Sequence, residues 1–260
     1  MDVGVSMVML RDSAAPSAAR VEQELRTRYP DLDAVLDSDN GSTVSIRLRD
    51  GDLLYTFVEA PIPWSDLEGP CATSLLWKNA ANEVKAHCAH LIVAIRTELN
   101  AVERSTLLTK VTVALLAASD AVIGVYWGNA TLVIPKAIFL EFAEQILPLG
   151  PPVDIWIDFR VGWQTEKRSA GFTQGLTALG HMELVAQDSP EKPGDLRERF
   201  HGLAGYLLEH GPVIKDGDTI GNSAKEKIRV VYGPSAFGHE GFVMQLHYEA
   251  APAKPWWKIW

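Results

Sequence analysis

The sequence predicts an α+β protein made of two units with mainly antiparallel sheets. Three observations carry that expectation. Short apolar or alternating stretches of strand length interleave with longer ones whose apolar residues recur every three or four positions. Several neighbouring strand candidates are joined by tight polar turns, which suit antiparallel pairs and cannot serve parallel ones. The run Pro148-Leu149-Gly150-Pro151-Pro152 then divides the 260 residues into 1–150 and 151–260, each of ordinary domain size.

Taken in order, residues 3–10 form an apolar run closed by Asp12, Ser13 and Pro16, and predict a first strand. Ala18, Val21, Leu25 and Tyr29 recur at helical spacing until Pro30 stops them. Strands over 43–48 and 53–59 follow, and the Asp50-Gly51 pair between them is a strong hairpin signal. Pro61, Pro63 and Gly69-Pro70 predict a rigid loop, after which Leu75, Leu76, Ala80, Val84 and Cys88 predict a helix over 72–88 and residues 90–95 a strand. The order β-α-β-β-α-β is that of a ferredoxin-like split βαβ module. A helix over 103–118, strands over 121–127 and 131–134 turning at Gly128-Asn129, and a helix over 135–146 opened by Pro135 complete the first unit.

In the second unit Val153, Ile155, Ile157, Phe159 and Val161 alternate with Asp154, Trp156, Asp158 and Arg160, which predicts a half-buried strand over 153–163. The glycine-rich stretch 171–180 lacks the phosphate-binding glycine patterns and predicts a bulge or close backbone approach, with threonine hydroxyls satisfying backbone groups. A strand over 181–187 and a helix over 195–210 ended by Gly211-Pro212 follow. Asp216-Gly217-Asp218 has too few oxygen ligands for a calcium loop and predicts a tight turn, and strands over 227–232 and 242–248 close the unit.

Composition narrows the function classes. Cys71 and Cys88 alone supply neither a disulfide framework nor a paired zinc motif, and the N-terminal run lacks the basic flank of a signal peptide. The expectation is a soluble cytoplasmic protein with no cofactor. With 24 basic and 33 acidic side chains the net charge is −9, and residues 1–150 carry −7 of it. Between residues 31 and 68 nine carboxylates face only Arg47 and Arg49. Such a field repels nucleic acid and attracts a basic protein. Asp37, Asp39, Asp50, Asp52, Asp66 and Glu68 are therefore the candidate partner-binding residues, with Trp64 as an apolar anchor. The bland alternative is a solvated face that keeps the protein soluble.

Catalytic patterns are few. Glu83 and His87 fall one turn apart on the predicted helix with His90 just beyond, a spacing at which a carboxylate and two imidazoles converge on a divalent metal. A hydrogen-bonded helix-end histidine explains the same residues without a metal. No nucleophile elbow is present, and the two cysteines suit core packing. The stretch Lys254-Pro255-Trp256-Trp257-Lys258-Ile259-Trp260 places three indoles where only docking, on this chain or on a partner, would bury them.

Several motifs in order, Trp77-x-x-Ala80-x-x-Glu83-x-x-x-His87-x-Ala89-His90, Leu107-Leu108-Thr109-Lys110, Gly124-Val125-Tyr126-Trp127-Gly128, Thr173-x-Gly175-Leu176 and Gly211 through Gly221, resemble a bacterial family known as domain of unknown function 4261. The similarity runs from about Ser6 to about Tyr248 and names no activity. Within it, Phe172 to Gly221 is similar in layout to suppressor-of-fused-like domains. That likeness implies a cytosolic immunity protein that binds and occludes one secreted toxin, of a polymorphic toxin or type VI secretion system. The alternatives from other classes are a metal-dependent enzyme using Glu83, His87 and His90, and a non-catalytic adaptor using the tryptophan-rich tail.

Overall fold

A computed structural model of the protein describes residues 2–221 and 226–248. The chain divides into two compact units, residues 1–158 with Ala178–Gly180, and residues 159–177 with 181 onward. Both are α+β with mainly antiparallel sheets, as the sequence predicts. Among the described residues no helix is long and apolar enough to cross a membrane.

The first unit runs β1 (Asp2–Leu10), α1 (Ala18–Arg28), β2 (Val35–Asp39), β3 (Thr43–Leu48), β4 (Gly51–Val58), α2 (Trp64–Thr73), α3 (Ala80–Val84), β5 (Ala89–Thr97), α4 (Ala101–Ala118), β6 (Val122–Trp127), β7 (Leu132–Pro135), α5 (Lys136–Gln145) and α6 (Val153–Trp156). Its seven strands order as β2-β3-β4-β5-β1-β6-β7, every neighbour antiparallel. This corrects the ferredoxin-like expectation. A split βαβ would place a strand between two parallel partners joined by a helix, whereas β5 returns beside β4 itself and separates it from β1. β2 adds a strand at the edge; its Asp37, Ser38 and Asp39 are exposed and give no apolar alternation to detect.

One sheet face is covered by α1, α4 and α5. The α4 helix begins in a capping box, where Asn100 accepts from the Val102 and Glu103 N–H groups and Glu103 accepts from the Asn100 N–H. Ser6 of β1 meets Thr112 of α4 at 3.0 Å, and Trp156 of α6 donates to Thr109 at 2.9 Å, so these buried polar groups are paired, whereas the buried Tyr55 hydroxyl of β4 has no partner among the described residues. On the other face α2 and α3 lie over Met9 and Val133, with Leu67, Cys71, Trp77 and Val84 filling the interface. Gly124 makes that approach possible, since a Cβ there would stand 2.6 Å from the Trp77 ring.

The helices over this face differ from the predicted loop over 61–70 and helix over 72–88. Pro63 sits at the N-cap of α2, where a missing N–H costs nothing, and Leu67, Pro70 and Cys71 form its buried stripe. Downstream, Ser74 accepts from the Trp77 N–H and interrupts the helix, leaving only the five residues of α3. Residues 153–156 likewise turn once as α6 before the strand starts, because a single helical turn is too short to display its period.

The second unit runs β8 (Asp158–Thr165), β9 (Arg168–Gln174), β10 (Leu184–Ser189), α7 (Pro193–His210), β11 (Thr219–Ile220), β12 (Ile228–Pro234) and β13 (Phe242–Tyr248), with β8 starting on the last residue of the first unit. Its sheet order is β11-β12-β13-β10-β9-β8, with β10 and β13 parallel. Leu196, Phe200, Ala204 and Leu207 form the buried stripe of α7. The expected close approach in the glycine-rich stretch is at Gly171, where a Cβ would meet the Arg160 carbonyl at 2.6 Å. The buried positions of β9 are Ser169, Gly171 and Thr173, so this strand carries no hydrophobic signal. The expected threonine role also holds: Thr173 accepts from the Leu184 N–H and donates to buried Glu183, which takes the Gly175 and Thr177 N–H groups as well.

Candidate functional site

Among the described residues, half of the first sheet carries no helix on one side. On β1, β3, β4 and β5 alternate side chains point away from α4, and α2 and α3 reach only as far as Met7 and Met9. Across this open half the register aligns Ser45, Leu54, Ala94 and Val5 in one row, and Thr43, Thr56, Ile92 and Met7 in the next. Val3 and Ile92 are 57% and 37% exposed, and Leu54, Val58 and Val5 are half-buried. Their partners on the inner face, Leu53, Val93 and Ile95, are fully buried.

A third row carries charge. Arg47 donates to Asp37 at 2.7 Å and stands directly opposite Asp52, which accepts from Arg96 at 2.8 Å. The ladder Asp37, Arg47, Asp52, Arg96 therefore alternates in sign across four strands and is neutral. Such exposed pairs contribute about 0–1 kcal/mol each, so they order the surface more than they stabilise it.

The predicted acidic residues are thus not one surface. Asp37 and Asp52 lie in the neutral row, and two further carboxylates of the window, Asp31 and Asp33, pair with Lys110 and Arg49. Asp39 and Asp50 flank opposite ends of β3, roughly 20 Å apart at about 3.3 Å per residue. Asp39 accepts from the Gly41 N–H in the turn. Asp66 and Glu68 are exposed on α2, and Asp66 accepts from the Ser65 hydroxyl. Among the described residues none of Asp39, Asp50, Glu59, Asp66 and Glu68 is in an ion pair. Trp64 is half-buried, packed against the Leu67 cluster with the Lys85 ammonium 4.3 Å from its ring centre.

Glu83, His87 and His90 are occupied by structural bonds. The predicted helix face is absent, since α3 stops at Val84. His87 Nε2 accepts from the Ile62 N–H at 2.8 Å, which fixes the proton on Nδ1, and Nδ1 donates to the Val84 carbonyl. His90 Nδ1 donates to the Ala60 carbonyl at 2.7 Å, while Glu83 accepts from the Trp77 indole at 2.8 Å. Burial lowers the His87 pKa, which favours the neutral ring these bonds require. Among the described residues no three His, Cys, Asp or Glu side chains are grouped to hold a metal ion. Burial pushes the Cys71 thiol up to about 11, away from thiolate chemistry.

The open half-sheet escaped sequence reasoning because apolar residues occur on both sides of β1 and β5, which signals burial on both faces. A usable sign was β4, where polar Asp52 and Thr56 on one face alternate with apolar Leu53 and Tyr55 on the other. The tryptophan-rich tail lies outside the described residues.

Residues 172–247 match the family model described as Domain of unknown function (DUF4261), a stretch that lies in the second unit except for Ala178–Gly180. No curated protein and no solved structure matches the chain.

Proposed function

We propose that the chain acts by binding a protein, and that the partner is a basic secreted toxin whose active site the bound chain covers in the bacterial cytoplasm. The observation that carries this reading is the open half of the first sheet, a surface with apolar side chains that no helix among the described residues covers. Four strands about 4.8 Å apart and seven residues long give a face of roughly 20 by 20 Å. That is about half of the ~800 Å² each partner buries in a standard interface. The rim supplies the remainder, and its Asp39, Asp50 and Glu59 carboxylates, in no ion pair among the described residues, complement a positive partner. The immunity role rests on the likeness of Phe172 to Gly221 to suppressor-of-fused-like domains, whose bacterial relatives commonly block toxins.

The test is co-purification with the toxin domain encoded beside this gene, followed by titration of Leu54→Arg and Ile92→Arg. Each should weaken association at least about a hundredfold, the range expected when an interface centre is disrupted. Both positions face solvent, so the melting temperature should hold. A partner that binds both variants like the parent, or the lack of any partner encoded nearby, overturns the reading.

A further inference from the structure

The second unit contains a groove of about 960 Å³ between α7 and the residues around β11. Its base is closed by Arg199, a guanidinium only 8% exposed that donates to both Glu191 and Glu226 at 2.5 Å. Burial works to raise the Glu191 pKa, but the bonds from Arg199 and Tyr248 outweigh it and keep the carboxylate charged. With that arginine neutralised from within, Asp195, Glu198 and Asp218 set the sign of the lining. Leu203, Tyr206, Val213, Ile214 and Ile220 make an apolar part of the wall. Tyr206 and Val213 are 46% and 45% exposed, Leu203 lies beside them, and at Gly202 a Cβ would meet nothing within 4 Å. Apolar walls beside acidic side chains fit an aromatic, lysine-bearing peptide.

We propose that this groove takes the chain's own C-terminal segment, residues 254–260. That segment holds three tryptophans, one isoleucine and two lysines, and no acid. It also starts from the right place. Tyr248 lies opposite Ile228 and Ile228 opposite Ile220 of the groove wall, so β13 ends two strand spacings, about 10 Å, from the lining. The Tyr248 hydroxyl donates to Glu191, another lining residue. Twelve residues follow Tyr248, and fully extended they reach at most about 40 Å. A tether of that length holds its end near the groove at an effective concentration on the order of millimolar, so weak contacts suffice.

The test uses the full chain with Trp257→p-benzoylphenylalanine, irradiated and mapped by mass spectrometry. Crosslinks should form within one chain, to α7 near Leu203 and Tyr206 or to Val213. Asp195→Lys with Glu198→Lys should cut their yield at least about fivefold by reversing the rim charge. Crosslinks elsewhere on the chain, crosslinks between copies or to another protein, or a yield indifferent to the charge reversal overturn the proposal. The map from the chain with its groove intact decides the location by itself, so a charge-reversed variant that fails to fold leaves the test standing.

Discussion

His87 ties together two segments that meet only in the folded chain, accepting a hydrogen bond from the Ile62 N–H on one ring nitrogen and donating one to the Val84 carbonyl from the other. This arrangement requires a neutral ring, and burial lowers the pKa below the ordinary 6.5. In the unfolded chain the same histidine titrates near its ordinary value. As the pH falls through that value the unfolded state binds a proton that the folded state refuses, so stability is present above it and is lost on acidification. His181, whose pKa burial also lowers, contributes with the same sign. The urea midpoint should therefore decline between about pH 7.5 and about 5.5, a window set by the histidines. His87→Leu should flatten that decline and lower stability at the upper pH by about 1–3 kcal/mol, because the Ile62 N–H loses its acceptor. A midpoint independent of pH across the window, or a slope unchanged in the variant, contradicts this account.

At the scale of elements, the helices most legible in the sequence are those whose local signals agree with their burial. The α4 helix has Asn100 and Glu103 at capping-box spacing and Leu107, Val111 and Leu115 on its inner face, and it begins within two residues of the predicted start. Asn100→Ala removes the acceptor for two N–H groups and should cost about 1 kcal/mol. For a chain of this size that lowers Tm by about 2–4 °C, a change thermal unfolding followed by circular dichroism resolves. The illegible elements are those where local and tertiary preferences diverge. Prolines that ordinarily punctuate loops open and line α2, and β9 buries serine, glycine and threonine instead of aliphatics. The candidate face was hidden for another reason. Sequence proximity grouped Asp39 with Asp50, which the β3 strand holds apart, and it separated Asp52 from Arg96, which β4 and β5 bring to 2.8 Å. Pairing partners in a sheet are set by register, and a charge count along the chain carries no register.

For the whole molecule, the net charge of −9 survives the internal pairing, because pairing redistributes charge without changing the sum. The open half-sheet is close to neutral at its centre, while Asp39, Asp50 and Glu59, in no ion pair among the described residues, stand at its margins. In the proposed complex those two regions would act on different steps of association. Long-range attraction from the margins speeds encounter with a basic partner and is screened by salt, since the Debye length falls from about 30 Å at 0.01 M to about 3 Å at 1 M. Apolar contact at the centre forms only after encounter and governs how long the complex lasts. Raising the salt should therefore slow association with the basic partner by about tenfold or more while leaving dissociation nearly unchanged. Asp50→Asn with Glu59→Gln should reproduce part of the slowing at low salt, and Leu54→Arg should act mainly by hastening dissociation. Stopped-flow association and dissociation rates across a salt series separate these effects. Dissociation that accelerates with salt while association stays constant would place the charged groups inside the contact and not around it.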